Sequence, residues 1–293
     1  MKQDICVWIL GGDRRQGFLA AQLARSGCRV HTLEVPVPVG SDLVIQQSGP
    51  AGLEEADWVV LPLPVSVRPG WVNSPGELPL DAVLDRLSPG QFLCGGKVDG
   101  NSRSMARARG LTIRDYLDRE ELAVANAVPT AEGALQLAME QLPVTIHGSR
   151  VLVLGFGRVG KLTAQRFGAL GAEVTVFARR WEQLAWAQAM GFGCHRLGTP
   201  LPRSRDFDLV INTVPAPVLT RSVLEQLRQD CLVLDLASQP GGVDRPAAKE
   251  LGITVVHALG LPGKMAPATA AAAIRETLWN MYLKSERKGS LGK

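Results

Sequence analysis

The sequence predicts an α/β fold of two doubly wound parallel-sheet domains, the second a Rossmann dinucleotide-binding domain. Three observations carry this reading. Residues 5–34 and 149–178 share one grammar: an apolar strand, a glycine turn, an amphipathic helix and a second strand. Strand and helix patterns go on alternating after each, the signature of parallel sheets with helices on their faces. The chain has 293 residues, more than the roughly 100–200 that one compact domain usually holds.

The elements follow in order. Ile5-Cys6-Val7-Trp8-Ile9-Leu10 is an unbroken apolar run that ends on Gly11-Gly12, as expected of a strand buried on both faces. It is too short for a signal peptide and lacks a small-residue cleavage site. Asp13 is placed to cap a helix over 14–26. Further strands are expected at 29–33, 57–61, 91–94 and 122–125, with helices at 79–86 and 101–109. Pro62, Pro64, Pro69 and Pro75, with Gly70 and Gly76, rule out regular structure over 62–76. A long loop after a strand is where α/β folds carry binding groups.

Pro129 and the cap residue Thr130 open a helix with an Ala, Leu and Met stripe, which Pro143 ends. Strands then fall at 150–154, 173–177, 208–212, 231–235 and 253–256, with helices at 158–170, 181–190, 219–228 and 244–250. After Gly263, an Ala-rich amphipathic run at 267–284 is expected to pack back on the first domain. The expected division is 1–128, a substrate-facing domain; 129–147, a linking helix; 148–265, the cofactor domain; and 266–293, the returning helix.

Composition narrows the function classes. Hydrophobic residues are 46% and charged residues 20%, an ordinary globular balance. The net charge of +4 is spread among interleaved acids, so nucleic acid is not an expected partner. The basic tail at 284–293 is explained by a solvated chain end. No apolar stretch approaches the roughly 20 residues of a membrane span. Cys6, Cys28, Cys94, Cys194 and Cys231 are far apart and form no C-x-x-C pair. They indicate five buried thiols in a reducing cytoplasm, with neither a metal site nor disulfides.

The strongest local signal is Gly155-Phe156-Gly157-Arg158-Val159-Gly160, which follows the apolar strand Val151-Leu152-Val153-Leu154 and opens a helix. In this G-x-G-x-x-G pattern the first glycine permits the tight turn and the second lets the pyrophosphate approach the backbone. The third lets helix and strand pack closely. The phosphates then meet the free N–H groups of the helix start. Enzymes using NAD usually carry an acid at the end of the next strand. Here that strand ends Phe177-Ala178-Arg179-Arg180. Guanidinium groups suit a 2′-phosphate, so NADP is the expected cofactor and NAD the alternative. Asn212-Thr213-Val214-Pro215, and the turn from Asp235 through Ala237 and Ser238 to Gly242, fall at later strand ends and are expected to face the cofactor.

Gly11-Gly12-Asp13-Arg14-Arg15-Gln16 is a second glycine turn without fingerprint spacing, so no second nucleotide is assigned to it. Arg15 at this turn is a candidate for meeting an anionic substrate.

Several segments together resemble the family of the dehydrogenase-like A subunit of dipicolinate synthase from spore-forming bacteria, over nearly the whole length. They are Gly11–Gln16, Val128-Pro129-Thr130-Ala131-Glu132-Gly133, Ile146-His147-Gly148-Ser149, the fingerprint, Asn212-Thr213-Val214-Pro215, Leu234-Asp235-Leu236-Ala237-Ser238-Gln239-Pro240-Gly241-Gly242 and Gly260-Leu261-Pro262-Gly263-Lys264-Met265-Ala266-Pro267. The resemblance implies oxidation of dihydrodipicolinate to dipicolinate (pyridine-2,6-dicarboxylate) with reduction of NADP or NAD. It also implies dipicolinate synthase's flavoprotein-like B subunit as partner and the mother-cell cytoplasm of a sporulating cell as the setting.

Such a reaction needs the ring oriented in an interdomain cleft and two carboxylates held. Arg15, Lys97 and Arg103 are the candidate cations, with Ser66 and Ser238 as hydrogen-bond donors. His147 and His257 are the candidate bases. His147 precedes the fingerprint strand, at the end far from the cofactor; His257 follows a strand, where a locally satisfied histidine is the plainer reading. A 2-hydroxyacid dehydrogenase would share this architecture but needs a histidine beside a carboxylate, usually with an arginine. The loop after Asp235 has no arginine before Arg245, and 258–270 has no histidine. A third reading is a non-catalytic nucleotide-binding regulatory protein. A homodimer is the ordinary expectation for a soluble enzyme.

Overall fold

The computed structural model describes residues 5–200 and 206–290, without the side chains of 286–290. Most side chains of the basic tail, and residues 291–293 altogether, therefore lie outside the described residues. The chain forms two compact units, one comprising the residues up to Asn126 with those from Ala266 onward, the other Ala127–Met265.

The first unit runs β1 (Cys6–Leu10), α1 (Arg14–Arg25), β2 (Arg29–Leu33), β3 (Val44–Gln47), β4 (Trp58–Val60), α2 (Leu80–Leu84), β5 (Phe92–Gly95), α3 (Gly100–Arg107) and β6 (Arg114–Asp115). α4 (Glu120–Gln141) then carries the chain into the second unit. There follow β7 (Arg150–Leu154), α5 (Arg158–Ala169), β8 (Glu173–Ala178), α6 (Trp181–Ala189), β9 (Gly193–Arg196) and β10 (Leu209–Asn212). α7 (Arg221–Leu224), β11 (Leu232–Asp235), α8 (Arg245–Glu250), β12 (Val255–His257) and α9 (Leu261–Met265) complete that unit. α10 (Pro267–Ser290) belongs to the first.

Each unit holds a six-stranded sheet, ordered β3-β2-β1-β4-β5-β6 and β12-β11-β10-β7-β8-β9. Every pairing is parallel. The two orders are the same doubly wound topology, in which winding reverses beside β1 in one sheet and beside β7 in the other. The α/β expectation holds.

The continuous apolar runs are explained by burial on both faces. Ile5, just before β1, joins Val7 and Ile9 in the core beneath α1 and α10, while Cys6, Trp8 and Leu10 join the core on the opposite face. This is the strand period of two. Ala271, Ile274, Leu278 and Met281 form one buried stripe on α10 and pack in the former core.

Three expectations are corrected. Residues 122–125 are helical, not a strand, and the helix begins at Glu120 and runs through Pro129 rather than starting there. Leu122, Ala127, Ala131, Ala134 and Ala138 are buried positions on it, at spacings of three to five residues, and Pro129 and Gly133 are buried as well. Glu120 and Glu121 occupy its first turn, where acids complement the helix dipole. A short apolar run does not distinguish strand from helix, and proline's preference for helix starts placed the boundary too late. The expected helix over 219–228 shrinks to one turn. Cys194 is only half-buried, because it lies on the edge strand β9. The other four thiols are buried, and desolvation pushes Cys231 up to about 12.

The strands β3, β6 and β9 are additional findings. They are edge strands with sequences VIQQ, RD and GCHR, so no apolar run announces them. Among the described residues, no helix is long and apolar enough to cross a membrane, and no group of three or more His, Cys, Asp or Glu is placed to hold a metal.

Candidate functional site

In the second unit the fingerprint glycines have three different surroundings. Gly155 has φ +90° and donates its N–H to Phe177 O at 2.7 Å; a Cβ there would lie 2.5 Å from Thr213 Oγ1. A Cβ on Gly160 would lie 2.2 Å from Gly155 O, so only glycine lets α5 approach β7 this closely. At Gly157 a Cβ would meet nothing within 4 Å among the described residues beyond its chain neighbours. That open side is where a pyrophosphate must come. Gly157 caps α5 without a side-chain hydrogen bond, and no acid stands in the helix's first turn. The first-turn N–H groups are therefore of the kind that would receive a ligand's phosphates. Phe156 is buried, Arg158 exposed and Val159 half-buried. The residues present fit a dinucleotide.

Beyond β8 the side chains are cationic. Arg179 is exposed and has no partner among the described residues. Arg180 is also exposed, but its Nε reaches Glu182 Oε1 at 3.1 Å and the residue caps α6. Sequence reasoning missed Arg196, which pairs in register with Ala178 across β8 and β9 and lies 5.3 Å from the ring centre of exposed Trp181. Only the tertiary pairing of β9 brings Arg196 to the strand end that Arg179 follows. No acid stands at this strand end, since Glu173 is at the other end of β8.

The loops after β10 and β11 are knit together. Thr213 donates its N–H and its Oγ1 hydroxyl to Leu154 O, each at 2.9 Å. Val214 packs over Gly155, and Pro215 is exposed. Asn212 is fully buried; its Nδ2 donates to Val214 O at 3.0 Å and to Asp235 Oδ1 at 2.8 Å. Asp235 is equally buried and also accepts from Ala237 N and Gly242 N, both at 3.3 Å. Ser238 is exposed, and its carbonyl accepts from Gly241 N at 2.9 Å. His257 Nδ1 lies 3.3 Å from Asp235 Oδ2. His147 packs on Gly171 before β7, at the amino ends of the strands rather than the carboxyl ends that carry these loops.

In the first unit, Arg15, Ser66 and Lys97 sit after β1, β4 and β5, which are neighbours in the sheet. Arg15 is clamped. Its Nε and Nη2 reach Asp13 Oδ1 and Oδ2 at 2.9 and 2.7 Å, and Nη2 also donates to Leu63 O at 2.9 Å. Only Nη1 is left without a partner among the described residues. Burial works to raise the Asp13 carboxyl, but the Arg15 guanidinium more than offsets it and holds the group below its ordinary value. Asp13 also caps α1 through Arg15 N, as the sequence suggests. Ser66 donates to Arg68 O at 2.6 Å. Lys97 is exposed with φ +52°, and its N–H goes to Asp115 Oδ1. Arg103 is engaged by Asp115 at 3.3 Å and Asp118 at 3.7 Å, so its charge supports the loop locally.

The glycine turn of this unit is covered. Gly12 N donates to Asn73 O at 2.6 Å, and a Cβ on Gly11 would lie 2.6 Å from the same oxygen. The Pro-rich loop thus covers this turn, whereas no such loop closes over Gly157 among the described residues of the second unit.

A model of the N-terminal domain of the dipicolinate synthase A subunit matches residues 6–117. A model of the D-isomer specific 2-hydroxyacid dehydrogenase NAD binding domain matches residues 125–229. The crystal structure of the dipicolinate synthase A subunit from Bacillus halodurans is 30% identical with a TM-score of 0.87, covering 94% of this chain and 97% of that one. The A chain of dipicolinate synthase from Bacillus subtilis is 29% identical with a TM-score of 0.86, covering 97% of both chains. In sequence, the dipicolinate synthase A subunit of Bacillus subtilis (strain 168) is 35% identical over 292 residues, 95% of this chain and 96% of the relative. Identity of that extent, joined to an NAD-binding dehydrogenase-like domain, means that the chain belongs to the dipicolinate synthase A-subunit family.

Proposed function

We propose that the protein oxidises dihydrodipicolinate to dipicolinate with NADP, as the dehydrogenase subunit of a dipicolinate synthase. Its partner in this reading is that enzyme's flavoprotein-like B subunit, and its setting the mother-cell cytoplasm during sporulation. The carrying observation is the whole-length identity to a dipicolinate synthase A subunit in a chain whose fingerprint keeps Gly157 open to a dinucleotide. A bound nicotinamide would supply the two-electron acceptor. This chain's part is to bind and orient. The α5 N-terminus and Gly157 take the pyrophosphate, Arg179 with Arg180 and Arg196 the 2′-phosphate, and Asn212–Pro215 with Ala237 line the cofactor side. Arg15 through Nη1, Lys97, Ser66 and Ser238 are the groups offered to a dicarboxylate.

The test supplies freshly made dihydrodipicolinate to the purified protein, with and without its partner. Absorbance of reduced nicotinamide and of dipicolinate is expected to rise together. No product even with the partner present rejects the assignment. Oxidation of a 2-hydroxy acid is the second reading, favoured by the domain match at 125–229 and by a histidine standing against Asp235. A panel of 2-hydroxy acids in the same assay separates the two.

Cofactor choice has its own test. Arg179→Ala is expected to weaken NADP about tenfold or more, the scale of one charge-assisted contact of about 1.5–3 kcal/mol, with NAD affinity nearly unchanged. Titration calorimetry with both nucleotides measures this. Equal losses for the two would remove the 2′-phosphate argument.

A further inference from the structure

Asn212, Asp235 and His257 stand in register at the carboxyl ends of three adjacent strands, β10, β11 and β12. Cross-strand neighbours in register project from the same face of a sheet, so one row of polar side chains crosses an otherwise apolar surface. Asp235 at its centre is fully buried. Its Oδ1 is held by Asn212 Nδ2 at 2.8 Å, and its Oδ2 lies 3.3 Å from His257 Nδ1. That nitrogen is itself buried, and its approach to the carboxylate is not aligned as a hydrogen bond. Gly241 is the reason they can meet: with φ +88°, it would place a Cβ 2.7 Å from Asp235 Oδ2 and 3.5 Å from His257 Cε1.

His257 is therefore not a locally satisfied histidine. Its buried edge faces a carboxylate fixed by its own donors, and Nε2 has no protein partner among the described residues. A base oriented by a buried acid has this arrangement, and such contacts are often misaligned before substrate binds.

We infer that His257 is the proton acceptor of the oxidation and that Asp235 is its positioning residue, holding the proton on Nδ1 so that Nε2 is free to accept. The inference rests on the dihydrodipicolinate reading. Aromatisation removes two electrons and two hydrogens from the ring. One C–H bond breaks with both electrons and its hydrogen passing to the oxidised nicotinamide. A neighbouring C–H or N–H bond breaks, its electron pair stays to complete the aromatic ring, and its proton goes to Nε2.

Two measurements test this. In protein carrying 15N-labelled histidine, two-bond proton–nitrogen spectra report the tautomer, and loss of one pattern in His257→Gln assigns the residue. The wild type is expected to carry the proton on Nδ1. Asp235→Asn is expected to move it to Nε2, because an amide donates to Nδ1 where a carboxylate accepts. In turnover assays, His257→Gln is expected to lose about 100-fold or more in kcat, the scale of general-base catalysis, with NADP affinity and melting temperature unchanged. Wild-type kcat in His257→Gln, or an Nε2–H tautomer in the wild type, overturns the inference and leaves the assigned reaction standing. Absence of turnover in the wild type with its partner overturns both.

Discussion

Gly157→Ala is expected to fold as well as the wild type and to bind nicotinamide dinucleotides at least about tenfold more weakly, a cost of about 1.4 kcal/mol. Among the described residues beyond its chain neighbours, no atom lies within 4 Å of the added methyl group, so the described fold does not oppose it. Gly157 has φ −84°, which alanine adopts without strain. The methyl would stand where the pyrophosphate meets the backbone. Gly160→Ala is the contrasting case. Its methyl would lie 2.2 Å from Gly155 O, so α5 must move off β7. Overpacking of this kind costs about 1–3 kcal/mol, and both melting temperature and affinity are expected to fall. Calorimetric binding and thermal melts of the two variants test the assignment. Wild-type affinity in Gly157→Ala would place the phosphates elsewhere.

Trp58→Ala is expected to destabilise the first unit by about 3–5 kcal/mol, the usual cost of emptying a large aromatic site. Trp58 is fully buried on β4, with ring centres at 5.4 Å from Phe92, 4.7 Å from Trp279 and 4.9 Å from Tyr282. The last two belong to α10, so the truncation also loosens the returning helix. Trp58→Phe is expected to cost much less. It keeps most of the ring and removes an indole N–H that has no hydrogen-bond partner among the described residues. Denaturant unfolding followed by tryptophan fluorescence and circular dichroism separates the two. Equal losses would mean that the indole ring's extra breadth, not aromatic packing in general, holds α10.

How much was legible in advance follows from where each signal resides. The fingerprint was legible because all three glycine roles are local: a left-handed turn, an open approach and a close helix–strand contact lie within six consecutive residues. The position of Arg179 and Arg180 just after β8 was legible for the same reason. Arg196 was not, because β9 is a polar edge strand and its register with β8 leaves no mark in its own residues. The clamp on Arg15 was half visible. Asp13 is a local cap, but the acceptor Leu63 O comes from a distant loop. Residues 122–125 misled because four residues are too few to show a period, and the acids that start the helix precede them.

The sequence by itself determined two parallel α/β folds, the elements of their cores and the position of the dinucleotide turn. Apolar periodicity and glycine spacing are short-range properties that one chain segment states alone. Tertiary structure decided which charges are spent and which are free. It bound Arg103 to Asp115 and Asp118, left Arg179 open, and closed the first glycine turn with Asn73. It also aligned Asp235 with His257, residues of successive strands that meet only through the sheet register. A hydrogen bond or an ion pair depends on ångström-scale distances between remote segments, and those distances exist only once the sheets have formed.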